Sequence, residues 1–268
     1  MELKSYLQSI IHIEKKIYLL QQLKYLKTKN EMIKLIIIGA CGKMSNAVVS
    51  SIVNEKDIKI IGGIEAAGHP LLGSPIGDGL IQANLNFLIK ETDVAVEFAI
   101  PETTLDNVEV AAKADKPYII GTTGLTDLNE IKKYSKKIPI LISANFSLGV
   151  NLLYNLTETV AKLLQDFDIE IVETHHKMKR DAPSGTAKKL VEIIKETRDK
   201  KQDVKVHSIR AGDIIGEHTV MFIGNGERIE LIHRASGRNA FASGVIKAIR
   251  FITKQKPGLY SMQDIIAK

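Results

Sequence analysis

A run of protonatable side chains separates an alternating strand pattern from a helical pattern in the second half of the chain. His175, His176 and Lys179 fall within five positions, and Ser-Gly-Thr at 184–186 follows just before the helical spacing begins. Imidazoles exchange protons near neutral pH, whereas an ammonium supplies positive charge and hydrogen-bond donors. Backbone N–H groups in the first turn of a helix attract anions. These residue types and their spacing predict a small anion-binding site that can transfer a proton.

Composition alone leaves two other interpretations of this run open. A cluster of lysines and histidines is more often a solvated surface than a catalytic loop. Neighbouring histidines can also form half of a metal site. However, adjacent residues of a strand point to opposite faces, and no other Cys or His cluster in the sequence has the spacing of metal ligands.

The run belongs to a longer string, Glu173-Thr-His-His-x-x-Lys179-x-Asp-Ala-Pro-Ser-Gly-Thr186. This string resembles the signature of the dihydrodipicolinate reductase family, the 4-hydroxy-tetrahydrodipicolinate reductases of bacterial and plant lysine biosynthesis. Four more strings keep the resemblance in register from residue 32 to residue 268. They are Gly39-Ala-Cys-Gly-Lys-Met44, Gly121-Thr-Thr-Gly124, Ser143-Ala-Asn-Phe-Ser-Leu-Gly-Val-Asn151 and Arg210-Ala-Gly-Asp-Ile-Ile-Gly-Glu-His218. Ser45 departs from the family pattern, which often has glycine there.

The resemblance implies an enzyme that reduces 4-hydroxy-tetrahydrodipicolinate to tetrahydrodipicolinate with loss of water, using hydride from NADH or NADPH. Two rival functions are another nicotinamide-dependent dehydrogenase of aspartate-derived metabolism and a non-catalytic NAD-binding sensor. A sensor has no reason to keep His175, Lys179 and the Gly185-Thr186 pair together, and the rival dehydrogenases lack this His-His, Lys and Ser-Gly-Thr string.

The resemblance also assigns roles within the loop. His175 is expected to donate or accept a proton, and Lys179 to act as a second donor. The residues expected to bind the two substrate carboxylates are His176, Ser184, Gly185 and Thr186. Glu173 and Asp181 look like residues that orient the histidine and the lysine, and a helix-capping role for Asp181 has equal weight.

Repeated strand and helix patterns in the first half of the chain predict a Rossmann-type doubly wound parallel sheet. The apolar run Leu35–Ile38 leads into the glycine turn at 39–44 and then into a helical pattern. Glycines in such a turn let the backbone approach a dinucleotide pyrophosphate. The turn is not a strict G-x-G-x-x-G, so an ordinary strand–helix loop remains open from spacing alone. We also expect Thr103 or Thr104 to begin a helix, and residues 138–142 to form the last parallel strand.

Glu65 ends the second predicted strand, about 20 residues beyond the glycines, where an acidic side chain binds the adenosine ribose. A carboxylate repels the 2′-phosphate of NADPH, and Ala66 stands where some family members have arginine. These features predict NADH as the preferred cofactor and NADPH as the alternative, while a plain surface carboxylate is the other interpretation of Glu65. The predicted cofactor-binding residues are Gly39, Ala40, Cys41, Gly42, Lys43, Met44, Glu65, Gly121, Thr122, Thr123, Ser143, Ala144, Asn145 and Phe146.

The pattern changes after residue 147 and predicts a second, α+β domain with an open mixed sheet. We expect residues 32–147 and 239–268 to form the dinucleotide-binding domain, and residues 148–238 to bind substrate and form subunit contacts. The string from Arg210 to His218 is interpreted as mainly structural, at a sheet edge that pairs with other subunits. The resemblance implies a homotetramer.

Composition limits the cellular compartments and the classes of binding partner that the protein can have. The 268 residues include one cysteine, Cys41, so an intrachain disulfide is impossible and a reducing, cytoplasmic location is expected. The net charge of +6 is spread along a chain with no tryptophan and few aromatic residues, which argues against a nucleic-acid partner. No apolar run approaches the length of a membrane span. A basic balance suits a doubly negative substrate.

Residues 1–31 differ from the rest of the chain. Apolar residues recur there at helical spacing with lysines between them, and Met32 resembles a natural start directly before the first strand. The segment is interpreted as an upstream extension from a misplaced start codon. An amphipathic helix that binds a partner or membrane surface, and a targeting peptide, are the alternatives. We expect a chain that begins at Met32 to keep full activity.

Overall fold

The structure, a computed structural model, describes residues 32–126, 128–198 and 203–267. The helix expected within residues 1–31 and Asp127, expected at the start of a helix, lie outside these ranges. The helices are α1 (Lys43–Ile52), α2 (Pro101–Lys113), α3 (Leu128–Tyr134), α4 (Leu148–Leu163), α5 (Gly185–Thr197), α6 (Asn239–Ile252) and α7 (Gln263–Ile266). The strands are β1 (Ile33–Ile38), β2 (Ile58–Ile64), β3 (Pro75–Ile76), β4 (Gly79–Gln82), β5 (Val94–Glu97), β6 (Tyr118–Ile120), β7 (Pro139–Ile142), β8 (Asp168–His175), β9 (Lys205–Arg210), β10 (Gly216–Ile223), β11 (Arg228–Ala235) and β12 (Gly258–Tyr260). Two short 3₁₀ helices cover Leu85–Phe87 and Ile89–Glu91.

The first sheet has eight strands in the order β12-β7-β6-β5-β1-β2-β4-β3. All its neighbours pair in parallel except β3 and β4. The chain order reverses between β1 and β5, so a crevice opens beyond the carboxyl ends of these two strands. This is the predicted Rossmann-type doubly wound sheet, and the fold class is confirmed.

Strand β1 explains why helices cover both faces of this sheet. Its apolar run has no polar positions, so each face needs a partner. Leu35 and Ile37 point to the side of α1 and α6, whereas Ile36 and Ile38 point to the side of α2 and α3. All four residues are at most 3% exposed. Helix α6 therefore returns to the first sheet although it follows the second sheet in the sequence.

The second sheet has four strands in the order β11-β10-β8-β9. Strand β10 runs antiparallel to both of its neighbours, whereas β8 and β9 are parallel, so the sheet is mixed as predicted. Ile169, Ile171, Val220 and Phe222 pack against α4 and α5 on one face. The alternation of buried and part-exposed residues along β8 aims Glu173 and His175 to this same inner face.

The predicted start of α2 at Thr103 or Thr104 is wrong, because the helix begins at Pro101. Pro101 occupies the first helical position, where its fixed φ is favourable and its missing N–H costs nothing. The Thr104 hydroxyl instead donates a hydrogen bond to the buried carboxylate of Glu97, at 2.9 Å.

The strand at 139–142 is not the last parallel strand, because β12 adds beside it in parallel. Strand β12 has three residues, Gly258–Tyr260, which is too short for an alternating pattern to be visible in the sequence. Its position extends the first sheet with residues from the end of the chain. Among the helices of the described ranges, none has the length and apolar content needed to cross a membrane.

Candidate active site

The turn between β1 and α1 requires a residue without a side chain at Gly39. Gly39 has a φ of +73°, and a Cβ there would lie 2.5 Å from the Phe98 carbonyl oxygen. Gly42 precedes α1 without a side-chain cap, so the first N–H groups of the helix have no side-chain acceptor there. Ser45, the departure from the family pattern, is buried and donates from Oγ to the Gly39 carbonyl at 2.6 Å. The turn fits the pyrophosphate of a dinucleotide.

Glu65 lies beside this turn at the end of β2. Its Oε1 accepts a hydrogen bond from the Cys41 backbone N–H at 2.7 Å. Its Oε2 accepts a weaker bond from the Ala66 N–H at 3.3 Å. The contact with Cys41 makes Glu65 part of the glycine turn, and its carboxylate can accept from ribose hydroxyls there.

Aromatic and small residues form a second part of the crevice, beyond β5 and β6. Phe98 and Phe146 meet edge to face, with ring centroids 5.8 Å apart. A Cβ at Gly121 would lie 2.1 Å from the Phe98 ring, so only glycine fits beside it. These residues line a cleft of 270 Å³ together with Thr122 and Thr123. Its flat apolar wall and nearby backbone suit a nicotinamide ring and its carboxamide.

A larger cleft of 980 Å³ adjoins the small one and shares Met44, Thr123, Ala144 and Asn145 with it. Most of the predicted site residues line one or both of these clefts. Those that line at least one of them are His175, His176, Lys179, Ser184, Gly185, Thr186, Met44, Gly121, Thr122, Thr123, Ser143, Ala144, Asn145 and Phe146. The remaining predicted residues, at the turn before α1 and beside it, are Gly39, Ala40, Cys41, Gly42, Lys43 and Glu65.

Glu173 is the buried centre of the polar network below the larger cleft. Its side chain is fully buried and accepts from His175 Nδ1 at 2.5 Å and from the Arg210 guanidinium at 2.7 and 2.9 Å. The Ser184 backbone N–H adds a bond of 3.3 Å. Burial by itself raises the pKa of Glu173, but hydrogen bonds from Arg210, Ser208 and His175 outweigh it and lower the pKa to about 2. Glu173 is therefore an anion at neutral pH.

This contact fixes the protonation pattern of His175. A carboxylate can only accept, so Nδ1 of His175 carries the proton and Nε2 is the acceptor of the neutral ring. Burial lowers the pKa of His175, with help from the charges of Lys179 and Arg210 and against the attraction of Glu173. The imidazole is therefore neutral at pH 7 and can take up a proton at Nε2.

Lys179 is held by Asp181, with Nζ and Oδ1 2.8 Å apart. The Lys179 ammonium lowers the pKa of Asp181. Arg210 links this pair to Glu173, since its Nη2 also donates to the Asp181 carbonyl at 2.6 Å. The contacts expected for Glu173 and Asp181 are thus both present. The capping alternative for Asp181 is wrong, because Ser184 is the N-cap of α5 and accepts from the Ala187 N–H at 3.2 Å.

The string from Arg210 to His218, interpreted above as mainly structural, also supplies two residues of the polar network. Strand β9 is an edge strand, but Arg210 stands opposite His175 in its pairing with β8. His218 of β10 stands opposite Glu173, and its Nε2 lies 3.2 Å from Ser184 Oγ. Its ring centroid is 5.3 Å from that of His175. Burial, with the charges of nearby histidines, lowers the pKa of His218 to about 3, so it is a neutral hydrogen-bonding residue.

One contact joins the loop of the small cleft to the loop of the large one. Asn145 Nδ2 donates to Thr186 Oγ1 at 3.1 Å. Asn145 follows β7 of the first sheet, whereas Thr186 lies in the first turn of α5 on the second sheet. A ligand in the large cleft and a ring in the small cleft would therefore meet at this hydrogen bond.

Comparison with known proteins identifies relatives over most of the chain. Residues 33–146 match the family model described as dihydrodipicolinate reductase, N-terminus, and residues 149–266 match the model of its C-terminus. A 4-hydroxy-tetrahydrodipicolinate reductase of Methanocaldococcus jannaschii is 41% identical over 267 residues, covering 88% of this chain and 97% of the relative. The same-named protein of Aquifex aeolicus is 39% identical, with coverage of 87% and 98%.

A solved structure is similar as well. Dipicolinate-bound dihydrodipicolinate reductase from Paenisporosarcina sp. TG-14 superposes with a TM-score of 0.77 at 26% identity, covering 87% of this chain and 99% of that chain. Fold, site and relatives together define a pyridine-nucleotide-dependent oxidoreductase of the Rossmann class. Within that class, the chain belongs to the dihydrodipicolinate reductase family.

Proposed function

We propose that this protein reduces 4-hydroxy-tetrahydrodipicolinate to tetrahydrodipicolinate with loss of water, in the diaminopimelate route to lysine. The observation that carries the proposal is the pair of oriented groups, His175 on Glu173 and Lys179 on Asp181, facing one cleft beside the Asn145 loop. The substrate is a cyclic dicarboxylate, and the structural relative with bound dipicolinate carries a similar molecule.

The first task of the chain in this reaction is to hold a dianion. Helix α5 begins at the large cleft, and its N-terminus attracts a carboxylate through the N–H groups that follow Ser184. Thr186 and His176 add side-chain donors, and Lys179 supplies a full positive charge. This cradle orients the ring with its second face towards the small cleft, where the nicotinamide would lie.

The second task is to move protons while NADH or NADPH, when bound, supplies the hydride. Loss of water removes one ring proton together with the hydroxyl group. Neutral His175 can accept the ring proton at Nε2 and return it to the departing hydroxyl oxygen, so that water leaves. Hydride addition leaves electron density on the ring, and the Lys179 ammonium is the charged donor beside it. Glu173 stabilises the imidazolium that forms at His175, because its carboxylate stays ionised.

Arg210 acts as a positioning residue in this scheme. It holds the Glu173 carboxylate from two nitrogens and the Asp181 carbonyl from one of them, so a single planar group sets the places of both functional side chains. His218 holds Ser184, which begins the carboxylate cradle.

NADH is the proposed preferred cofactor, with NADPH as the alternative. The Glu65 carboxylate at the glycine turn can accept from two ribose hydroxyls, and the same charge repels a 2′-phosphate. Ala66 provides no positive charge that would offset this repulsion.

The proposed assembly is a homotetramer in the cytoplasm, formed through the outer face of the second sheet. Ile209 and Ile232 lie on that face, away from α4 and α5, and are 46% and 45% exposed. We keep the division into a dinucleotide-binding part, residues 32–147 and 239–268, and a substrate-binding part, residues 148–238. The single cysteine supports the reducing location.

A coupled assay tests the proposed activity. The unstable substrate is made in place from pyruvate and aspartate semialdehyde by the preceding synthase, and cofactor absorbance is followed with each nucleotide. The proposal expects oxidation of NADH that depends on both precursors and on the synthase. The proposal is overturned if NADH is oxidised without the precursors, or if a folded protein oxidises no NADH when they are present.

A further inference from the structure

Three side chains that sequence spacing did not connect meet beside the glycine turn. Cys41, Glu65 and His69 each place a ligand atom, and these atoms all lie within 4.8 Å of one another. Among the residues that the structure describes, these three form the one group of Cys, His, Asp or Glu side chains whose ligand atoms are close enough together to hold a metal ion. Each of the three residues is partly buried.

The distances suit a small tetrahedral ion. Cys41 Sγ and His69 Nδ1 are 3.8 Å apart. Bond lengths of about 2.3 Å to sulfur and about 2.0 Å to nitrogen place two tetrahedral ligands about 3.5 Å apart. The ligand set of one thiolate, one imidazole and one carboxylate matches the ions that accept mixed soft and hard donors, above all Zn²⁺. The fourth position would hold water.

The backbone holds two of the ligands in place before an ion arrives. Glu65 is fixed by the Cys41 N–H at 2.7 Å, which uses one lone pair of Oε1. His69 Nδ1 accepts from the Leu71 N–H at 3.2 Å, and this bond gives way when Nδ1 binds an ion. The Cys41 thiol loses its proton to solvent on binding, as thiol ligands of zinc do.

We propose that Cys41, Glu65 and His69 form a binding site for Zn²⁺ or a similar divalent transition-metal ion, and that an ion there excludes the dinucleotide. The exclusion rests on the proposed ribose-binding role of Glu65, since a carboxylate that is bound to the ion no longer offers the same oxygens to two ribose hydroxyls. The metal is thus an inhibitor of cofactor binding and takes no part in the reduction.

Cobalt absorption tests the site by itself, without cofactor or substrate. Co²⁺ is titrated into the full chain, which has no tryptophan, and thiolate-to-cobalt absorption is recorded in the near ultraviolet. We expect one equivalent of Co²⁺ to bind with this absorption and Zn²⁺ to displace it. Cys41→Ser should abolish the absorption, and His69→Gln should weaken Co²⁺ binding by about 100-fold or more, since changes outside the ligand set already cost 10–100-fold.

His207→Gln is the matched control, because His207 also contacts a carboxylate, Glu170 at 2.7 Å, whereas the single thiol of the chain lies beside His69. The control should titrate as the parent does. Absence of the thiolate absorption in the parent, or its persistence in Cys41→Ser, overturns the metal site.

Fluorescence of bound NADH tests the exclusion separately. A titration with NADH in the absence of metal tests only the NADH binding that the proposed function requires. With increasing Zn²⁺, the apparent Kd for NADH should rise in proportion to free Zn²⁺, and His69→Gln should abolish this dependence. Simultaneous binding of both ligands, with the Kd for NADH unchanged, refutes the exclusion even where the cobalt absorption is present.

Discussion

Arg210→Met removes the residue that contacts both Glu173 and Asp181, and it tests the proposed role of the buried network. The guanidinium donates twice to Glu173 and once to the Asp181 carbonyl. Methionine fills a similar volume without donors or charge. Glu173 would keep its contacts with His175 and the Ser184 N–H, but it would be a fully buried anion without its strongest partner.

The expected loss of stability follows from that burial. Removing one member of a buried ion pair costs about 3–5 kcal/mol, because the other charge is left unpaired. The Arg210 side chain is 18% exposed, whereas that of Glu173 is fully buried. Because Arg210 is partly exposed, the lower end of the range applies. We therefore expect Arg210→Met to lower the free energy of unfolding by about 3 kcal/mol in urea titrations.

The pH profile gives a second readout that a merely structural role would not move. The proposed role of His175 as a proton acceptor requires the neutral imidazole, so kcat/KM should rise with pH through the pKa of His175. The positive charge of Arg210 contributes to the lowered pKa of His175. Its removal should raise that pKa and shift the acid limb of the profile to higher pH. Arg210→Lys should restore part of both effects, because the charge stays while the two-point contact is lost.

Arg234→Met is the matched control for this experiment. Arg234 also contacts a carboxylate, Glu217, but both side chains are well exposed. An exposed pair contributes about 0–1 kcal/mol, and no effect on the acid limb is expected. If Arg210→Met behaves like Arg234→Met in both readouts, the proposed positioning role is refuted.

Four other predictions follow from the site and the cofactor cradle. Lys179→Ala should lower kcat about 100-fold, as loss of a general acid does, whereas the exposed neighbour Lys177→Ala should keep it. Thr186→Val should mainly raise KM in steady-state assays, because a donor of the carboxylate cradle is lost. Ala66→Arg should raise kcat/KM with NADPH relative to NADH, by placing a cation beside the 2′-phosphate. The free energy of unfolding should fall by about 3 kcal/mol as the pH is lowered from about 4.5 to about 2, because the pKa of Glu173 is lower in the folded state. Glu173→Gln should flatten the stability curve over this pH range.

Local sequence features were enough to predict the sheet and the main functional loop. The uninterrupted apolar run of β1 and the glycines after it define a buried parallel strand and a dinucleotide turn without reference to the rest of the chain. His175 and Lys179 were visible because they stand four residues apart, in a string of unusual composition.

Features that depend on strand pairing were not predictable from spacing. Arg210 reaches Glu173 from 37 residues away, because β9 pairs with β8 in one particular register. His218 faces the site for the same reason through β10. Cys41 and His69 are separated by 28 positions and meet only where the loops after β1 and β2 converge. A one-residue change of register would point the strand residues to the opposite face.

Transfer of deuterium from the cofactor to the product is the sharpest test of the proposed reduction. NADH carrying deuterium on the transferred side of its reduced ring is supplied with substrate made in place, and tetrahydrodipicolinate is analysed by mass spectrometry. We expect one deuterium per product molecule with the parent protein, and a rate about 100-fold lower with His175→Ala. Product without deuterium, or an undiminished rate in the His175 variant, would contradict it.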